Sequence, residues 1–208
     1  MFAELTVKDY LDQLASSSPT PGGGAAAALT GAQAAALVSM VCNLTVGKPK
    51  FADVEEIIQH TLERSEALRL ALLSMADEDA EAFGQVSAAY TLPKGTPEEK
   101  AARREALQQA LKAAALVPLR VMEACLEVMR LATTAAEKGN PNVISDASVA
   151  GILAHAGLLG AADNVRINLK FIKDETFVRQ EGARLEALLK AAEDARAALE
   201  QVIATREG

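Results

Sequence analysis

Aromatic residues are scarce in this chain, which has five phenylalanines, two tyrosines and no tryptophan among its 208 residues. Strands favour aromatic and β-branched side chains, whereas helices favour alanine, which is very frequent here. No segment shows the pattern of a strand convincingly, and there is no internal repeat. The composition therefore predicts an all-α fold, a single multihelical bundle of about six helices, some long and interrupted, formed by one domain over residues 1–208.

Residues that bind metals are also few. The chain has only two histidines, His60 and His155, and two cysteines, Cys42 and Cys125, and their spacing matches no zinc site. Both cysteines lie within apolar runs, as buried thiols do in a reducing compartment. We therefore expect no metal centre, no histidine-centred catalytic triad and a cytoplasmic location.

Positive charge is not in excess. The chain has 21 Lys and Arg against 28 Asp and Glu, a net charge of −7, and no dense basic run. This excludes a nucleic-acid interface and gives no sign of a membrane surface. The uncharged span 13–47 is long enough to raise the question of a transmembrane helix, but its Ala, Gly, Ser and Thr content makes it weakly hydrophobic. A buried helix in a soluble bundle is the better interpretation.

Capping residues predict where several helices begin. Thr6 and Asp9 are spaced as a capping box, and Thr96-Pro97-Glu98-Glu99 combines a cap, a proline at the first position and acidic residues in the first turn. Ser145 is predicted to cap a helix that reaches about Ile172. Pro118 lies inside a helical pattern that ends at Lys138, so it predicts a kink or a break there.

Three glycines precede the most apolar segment of the chain. Pro19-Thr20-Pro21 leads into Gly22, Gly23 and Gly24, and an alanine-rich helix follows. Backbone amides of a glycine-rich loop that opens a helix can point at an anionic group. Close packing between helices would require the same glycines. The motif alone leaves both interpretations open.

Asp79 is the first candidate for chemistry. On a helical projection it falls among apolar residues that include Leu72, Phe83 and Tyr90. A carboxylate on an apolar face is uncommon unless it is paired or functional, and burial raises its pKa towards the range of a general acid or base. The alternative is a structural aspartate tied to a cation or a helix end. Asp77, two residues earlier, points elsewhere, so the two aspartates form no catalytic dyad.

Polar residues at helix ends are the candidates for ligand binding. Lys48, Lys94 and Arg103 lie at or just beyond loops, where each either meets an anionic ligand or is simply solvated. Asn140, Asp146 and Asn164 flank apolar segments. Buried Asn and Asp side chains need hydrogen-bond partners, and a polar heterocycle is one way to supply them.

Together these motifs are similar to a known family, that of formimidoyltetrahydrofolate cyclodeaminase and methenyltetrahydrofolate cyclohydrolase. The resemblance covers nearly the whole chain, with the motifs in order, and each motif is weak by itself. It rests on Pro21-Gly22-Gly23-Gly24, Met40-Val41 with Leu44-Thr45 and Gly47-Lys48, Asp77-x-Asp79-Ala80-x-Ala82-Phe83, Leu92-Pro93-Lys94-x-Thr96-Pro97-Glu98-Glu99 with Arg103, Gly139-Asn140, Ser145-Asp146 and Asn164-Val165-x-Ile167-Asn168-Leu169.

The resemblance implies an all-helical homodimer that acts on a one-carbon unit carried by tetrahydrofolate, with no cofactor beyond this substrate. Asp79 matches the acid/base aspartate of the family. The substrate-binding positions that it implies are Gly22, Gly23, Gly24, Lys48, Lys94, Arg103, Asn140, Asp146 and Asn164. Ala25 stands where members often have serine, so a hydroxyl contact there would be missing, whereas contacts through backbone amides would remain.

Three functions follow as hypotheses. The first is cyclisation of 5-formimidoyltetrahydrofolate to the 5,10-methenyl form with release of ammonia. The second is hydrolysis of the methenyl form to 10-formyltetrahydrofolate in the same pocket. The third is a non-catalytic module that binds folate or a protein partner. The long helices and wide apolar faces favour a homodimer over a monomer.

Overall fold

The structure is a computed structural model that describes residues 1–207, and within them it contains six α-helices and no strand. The predicted all-α fold is confirmed. The helices are α1 (Val7–Leu14), α2 (Gly23–Asn43), α3 (Glu55–Thr91), α4 (Pro97–Lys138), α5 (Ile144–Leu169) and α6 (Glu175–Glu207). Short 3₁₀ turns cover Phe2–Glu4, Pro49–Val54 and Pro141–Val143.

Two of the three predicted caps are confirmed. The Thr6 side chain accepts the N–H of Asp9 at the start of α1. At the start of α4, Thr96 accepts the N–H of Glu99 while the Glu99 carboxylate accepts the N–H of Thr96, which completes a capping box. The predicted cap at Ser145 is wrong, because α5 already begins at Ile144. The turn Pro141–Val143 runs straight into that helix.

Helix α4 continues through Pro118. A break at this proline, one of the two outcomes expected from the sequence, therefore does not occur. Proline has no amide hydrogen, which leaves the carbonyl of Ala114 without its helical partner. The Asn168 side chain of α5 supplies a replacement, since its Nδ2 donates to the Ala114 oxygen at 3.1 Å. A neighbouring helix therefore satisfies the group that the proline leaves free, and α4 keeps its full length.

Helix α2 is the centre of the bundle and packs against α3, α4 and α5. Its buried residues are almost all alanine, glycine or valine, which lets the neighbouring backbones come close. Near its middle, Gly31 faces the Cys125 sulfur of α4 and the backbone at Gly157 of α5. Both cysteines are free and buried, as the sequence predicts, and burial raises the pKa of each thiol to about 12.

Two helical segments, Gly23–Asn43 and Pro141–Leu169, are long and apolar enough to cross a membrane by length and composition alone. Core helices of soluble proteins meet the same criterion. In the most apolar window of the first segment 61% is buried inside the bundle, in line with the predicted role of α2 as a core helix. The second segment is different, since only 33% of its window is buried.

Gly157→Ala is predicted to destabilise the fold. A methyl group at this position would lie 2.9 Å from the carbonyl oxygen of Ala27 and 3.2 Å from the Cys125 sulfur, and the first of these is backbone that cannot swing away. We expect a loss of about 1–3 kcal/mol in the free energy of unfolding, measured by urea denaturation.

The matched control is Gly182→Ala in α6, where nothing lies within 4 Å of the new methyl group. Removing a glycine from an open helix position raises stability by about 0.5–1 kcal/mol. Equal effects of the two substitutions would contradict the close approach of α2 and α5.

Candidate active site

A cavity of about 390 Å³ opens between the loop before α2, the second half of α3, the middle of α4 and the end of α5. Its volume is in the range of small-molecule sites. The lining residues are Pro19, Thr20, Gly22, Gly23, Gly24, Asp79, Phe83, Val86, Tyr90, Leu111, Ala114, Asn164, Ile167, Asn168 and Phe171. Five residues that the sequence singled out, the three glycines, Asp79 and Asn164, therefore line one cavity.

Asp79 lies where the apolar face of α3 changes from core to cavity wall. One and two turns earlier, Ala76 and Leu72 are fully buried, whereas the later Phe83 is 44% exposed. The apolar stripe was thus correctly identified, but its second half faces the cavity and not the core. Asp77 is elsewhere and accepts the N–H of Phe2 at 2.8 Å, in line with the prediction that the two aspartates form no dyad.

The carboxylate of Asp79 sits against the first turn of α2. The backbone N–H of Ala25 donates to it, and a methyl group on Gly24 would overlap both of its oxygens. The positive end of the α2 dipole therefore faces a carboxylate of the protein itself. Both sequence interpretations of the glycines apply, since Gly24 allows this close contact while Gly22 and Gly23 line the cavity.

Burial is the main influence on the protonation of Asp79. Loss of solvent raises the pKa of its carboxyl group above the ordinary value, and the hydrogen bond from Ala25 opposes this only in part. Among the described residues no lysine or arginine forms an ion pair with Asp79, so a cation-paired aspartate is not observed. The other structural alternative, an aspartate tied to a helix end, is observed, because the carboxylate accepts the N–H of Ala25 in the first turn of α2. A carboxyl group of this kind, facing a cavity, can both accept and donate a proton.

Two asparagines of α5 line the wall opposite α3. Asn164 donates through Nδ2 to the Gly160 carbonyl at 2.9 Å, and Asn168 donates to Ala114 as described above. These bonds fix both amide groups by their nitrogen atoms, and the oxygen atoms remain to accept hydrogen bonds from a ligand. Asn164 was predicted as a binding residue, whereas Asn168 was noted only as a polar neighbour.

Three of the seven aromatic residues of the chain, Phe83, Tyr90 and Phe171, line this cavity. Each is about half exposed, which is unusual for such side chains unless they meet a ligand or a partner. The sequence placed Phe83 and Tyr90 on an apolar helix face and missed Phe171. The chain has few aromatic residues, so each one was a candidate for a specific role. Aromatic rings placed near one carboxylate suit a flat ligand, and this was the signal that could have identified Phe171.

Lys94 and Arg103 lie beside the cavity and not in it. They line a neighbouring surface depression that shares Tyr90 with the cavity wall. Arg103 is fixed there, since its Nη2 donates to the Tyr90 carbonyl at 2.8 Å.

Three predicted binding residues, Lys48, Asn140 and Asp146, are at the opposite end of the bundle. Lys48 and Asn140 both donate to the Leu44 carbonyl beyond the end of α2, and Asp146 lies in the first turn of α5. Helix α2 has 21 residues, so this end is about 30 Å from Gly23. Within one chain these three residues therefore do not reach the cavity. The sequence motifs could not reveal this, because they do not show which end of each helix lies near the other helices.

The chain matches the family model described as formiminotransferase-cyclodeaminase over residues 6–203. It is 55% identical over 184 residues to the methenyltetrahydrofolate cyclohydrolase of Methylorubrum extorquens, with 88% of each chain covered. It is also 34% identical over 189 residues to the formimidoyltransferase-cyclodeaminase of Rattus norvegicus, of which it spans only 35%.

The fold is also that of a solved relative. The crystal structure of formiminotetrahydrofolate cyclodeaminase from Thermotoga maritima superposes with a TM-score of 0.89 at 36% identity, covering 99% of this chain and 98% of that one. Within residues 1–207 no group of three His, Cys, Asp or Glu side chains is placed to hold a metal ion. With sequence, fold and motif order in agreement, the chain belongs to the formiminotransferase-cyclodeaminase family.

Proposed function

We propose that this chain is an enzyme of folate one-carbon metabolism that hydrolyses 5,10-methenyltetrahydrofolate to 10-formyltetrahydrofolate. The observation that carries the proposal is Asp79, a carboxyl group with a raised pKa that faces a cavity with aromatic walls. The choice of reaction rests on the 55% identity to a cyclohydrolase of which the chain covers 88%.

In this reaction water adds to the carbon that bridges N5 and N10 of the folate. Asp79 accepts one proton from the water as the carbon–oxygen bond forms. The carbinol then loses its hydroxyl proton to solvent while the bond from carbon to N5 breaks, and Asp79 returns its proton to N5. The overall reaction consumes one water molecule and releases one proton, which carries away the positive charge of the methenyl group. A carboxyl group with a raised pKa is suited to both proton transfers.

The cavity walls hold the flat ring system in place. Phe83, Tyr90 and Phe171 provide faces for stacking, and the amide oxygens of Asn164 and Asn168 accept hydrogen bonds from ring nitrogens. Gly22 and Gly23 let the ring approach the backbone closely, while Gly24 leaves room for the Asp79 carboxyl group. Neither hydrolysis nor cyclisation requires a cofactor besides the folate substrate, and the two buried free thiols support a reducing, cytoplasmic location.

Release of ammonia from 5-formimidoyltetrahydrofolate is the second candidate, supported by the likeness to the Thermotoga maritima cyclodeaminase. There N10 attacks the formimidoyl carbon on N5. With the formimidoyl nitrogen protonated at the start, Asp79 accepts the proton of N10 and passes it to the amine, which leaves as ammonia while the positive charge stays on the 5,10-methenyl product. Both reactions go through a tetrahedral carbon next to N5 and N10, so the same carboxyl group serves either one.

The exposed face of α5 supports a homodimer. Val149, Ile152, Ala156 and Leu159 form an uncharged stripe along this helix, and Ile152 is 64% exposed. Their spacing of three, four and three residues stays on one side of a helix for about 15 Å. An exposed apolar stripe of this length is typical of an interface. Its spacing is symmetric about residue 154, as antiparallel packing of two copies of α5 around a twofold axis requires.

This packing would also place one end of the bundle in one subunit next to the opposite end of the bundle in its partner. Asp146 and Asn164 are 18 residues apart on α5, about 27 Å along the helix, and the twofold axis would lie close to the midpoint between them. The partner's Asp146 would then approach the Asn164 end of the cavity. The predicted binding residues Lys48 and Asn140 lie at the Asp146 end, so a second copy would carry them towards the same cavity.

Asp79→Asn is predicted to reduce kcat/KM about 10²- to 10⁴-fold for whichever folate is turned over, because the amide cannot accept the proton. The assay follows methenyl hydrolysis and ammonia release side by side. Asparagine can still accept the Ala25 N–H, so the fold should be kept. Unchanged turnover in this variant would exclude Asp79 as the acid/base group and favour the non-catalytic module.

The pH dependence supplies the control for this prediction. Activity of the unmodified protein should fall as Asp79 becomes protonated, at a pH above the ordinary aspartate pKa of about 3.9. The folded-state pKa is raised, so the stability contribution of Asp79 is present at low pH and lost as pH rises through that pKa. The Asn variant should therefore be at least as stable as the parent at pH 8, with the advantage shrinking towards pH 4.

Gly24→Ala is predicted to lower kcat while most of the stability is kept. The new methyl group would overlap the Asp79 carboxyl group, which is the movable end of a side chain and must swing away. Gly84→Ala, one residue beyond Phe83 on α3, is the matched control, since nothing lies within 4 Å of its methyl group. Similar turnover for both variants would argue against a precise position for Asp79.

Ile152→Glu is predicted to convert the dimer into a monomer of 21.8 kDa, half the mass of the dimer. The substitution should also reduce activity if the partner completes the cavity. Analytical ultracentrifugation at micromolar concentration is the measurement. Leu70→Glu on α3 is the control, because Leu70 is 58% exposed but has Glu66 and Ser74 one turn away on either side. A dimer that persists in Ile152→Glu would exclude the α5 stripe as its interface.

A further inference from the structure

The three aromatic side chains of the cavity are held in two different ways. Phe83 and Tyr90 belong to α3, a continuous helix of 37 residues. Phe171 lies beyond the end of α5, in the connection 170–174 that leads to α6. A connecting segment is more mobile than a helix unless other contacts hold it. The position of the Phe171 ring therefore depends on the contacts of this connection.

A single side chain of α4 binds the backbone of this connection on both sides of Ile172. Gln108 donates from Nε2 to the Phe171 carbonyl at 3.1 Å, and its Oε1 accepts the N–H of Lys173 at 2.7 Å. Each end of the amide group thus meets a complementary backbone group. Within residues 1–207 neither of these two backbone groups has another hydrogen-bond partner.

Neighbouring contacts with α4 hold the chain at both ends of the same segment. Three residues before Phe171, the Asn168 side chain donates to the Ala114 carbonyl. Three residues after Phe171, Asp174 forms an ion pair with Lys112 at 2.7 Å. These two side-chain contacts fix the ends of the segment, and neither involves an atom of Phe171.

Core packing alone would not fix the Phe171 ring. Ile172 is buried, with 8% of its surface exposed, whereas Phe171 is 51% exposed and faces the cavity. A rotation of the backbone around the buried Ile172 would move the Phe171 ring without uncovering the core. The Gln108 amide opposes such a rotation, because it binds the chain before and after Ile172.

Gln108 also relates the connection to the α4 wall of the cavity. It lies about one turn before Leu111, and both Leu111 and Ala114 line the cavity. A helix is rigid over so short a distance, so the Gln108 amide has a fixed place relative to this wall. Its two hydrogen bonds therefore hold Phe171 at a fixed place relative to the same wall.

We propose that Gln108 is a positioning residue, which holds Phe171 in place as an aromatic wall for the ring system of the substrate. This role rests on the proposed function, because it takes a flat folate ring to stack in the cavity. Gln108 itself lies outside the cavity and touches no reacting atom. It acts through Phe171, and no sequence motif singled it out.

Gln108→Met removes both hydrogen bonds and keeps the length of the side chain. A misplaced ring loses its stacking contact, so KM and Kd are expected to rise about two- to tenfold. The value of kcat should change little, because the contact between Asp79 and the Ala25 N–H is not touched. Kinetics on the methenyl and formimidoyl substrates gives KM and kcat, and calorimetry with 5-formyltetrahydrofolate gives Kd.

A double-mutant cycle with Phe171→Ala separates positioning from a general weakening of the fold. Gln108→Met should raise Kd in the unmodified background but change it less than about twofold once the Phe171 ring has been removed. A general weakening would give the same factor in both backgrounds.

Hydrogen exchange at Lys173 is a readout that needs no ligand. The Lys173 N–H should exchange about two- to tenfold faster in Gln108→Met, because its hydrogen bond to the Gln108 Oε1 is lost. An unchanged exchange rate would show that Gln108 does not hold the connection, and would overturn the proposal.

The matched control is Gln109→Met, at the next position of α4. Gln109 is exposed, lies outside the cavity, and donates to Glu105 one turn earlier at 3.5 Å. This variant should keep the KM, the Kd and the Lys173 exchange rate of the unmodified protein. Equal effects of the two methionine variants would overturn the positioning role, since Gln109 makes no bond to the connection.

The two proposals fail in different ways. An unchanged Kd in Gln108→Met, or an increase that persists in the Phe171→Ala background, would overturn the positioning role and leave the proposed function standing. An increase that disappears in that background, in a protein that turns over neither substrate, would support the role of Gln108 and overturn the proposed function. If the unmodified protein neither binds nor turns over any of these folates, both proposals are wrong.

Discussion

The contact between the Asp79 carboxylate and the first turn of α2 is the interaction on which the site depends. The Ala25 N–H holds the carboxylate from one side, and Gly24 leaves the space that it occupies. A helix end stabilises the charged form, while burial favours the neutral form. The two effects oppose each other, and burial prevails. The result is a carboxyl group that is fixed in position and still able to exchange its proton.

That contact requires α2 to be closely surrounded, and small residues make this possible. Gly31 and Gly157 let α2 and α5 touch near the Cys125 sulfur, so both helices reach the cavity in a fixed relation. Pro118 has a related role at the opposite wall. Its missing amide frees the Ala114 carbonyl, which then holds the Asn168 side chain of α5. Two features that look like defects in a helix, glycine and proline, thus position the cavity walls.

Sequence reasoning succeeded mostly where the signal is local, with the cap at Ser145 as an exception. Capping at Thr96 and the apolar stripe around Asp79 depend on residues within a few turns, and the structure has both. It failed where the signal depends on how helices are arranged in space. Nothing local shows that Lys48 lies about 30 Å from Gly23, or that Phe171 lines the same cavity as Asp79. Pro118 was misjudged as a possible break because the compensating donor, Asn168, is 50 residues away in sequence.

One acid/base group can serve both reactions of this family because their proton transfers are alike. In hydrolysis the proton moves from water to N5, and in cyclisation it moves from N10 to the leaving amine. In each case donor and acceptor are bonded to the same carbon once the tetrahedral adduct has formed, so a single carboxyl group beside that carbon reaches both. The two reactions start from different folates, because the methenyl carbon is already bonded to N10 whereas the formimidoyl carbon is not. The choice between them therefore depends on which folate the cavity walls accept and on whether they let water reach the carbon. Under the proposed function, the cavity walls would set the position of the ring, so Phe83, Tyr90, Phe171 and the two asparagines would influence that choice more directly than Asp79 would.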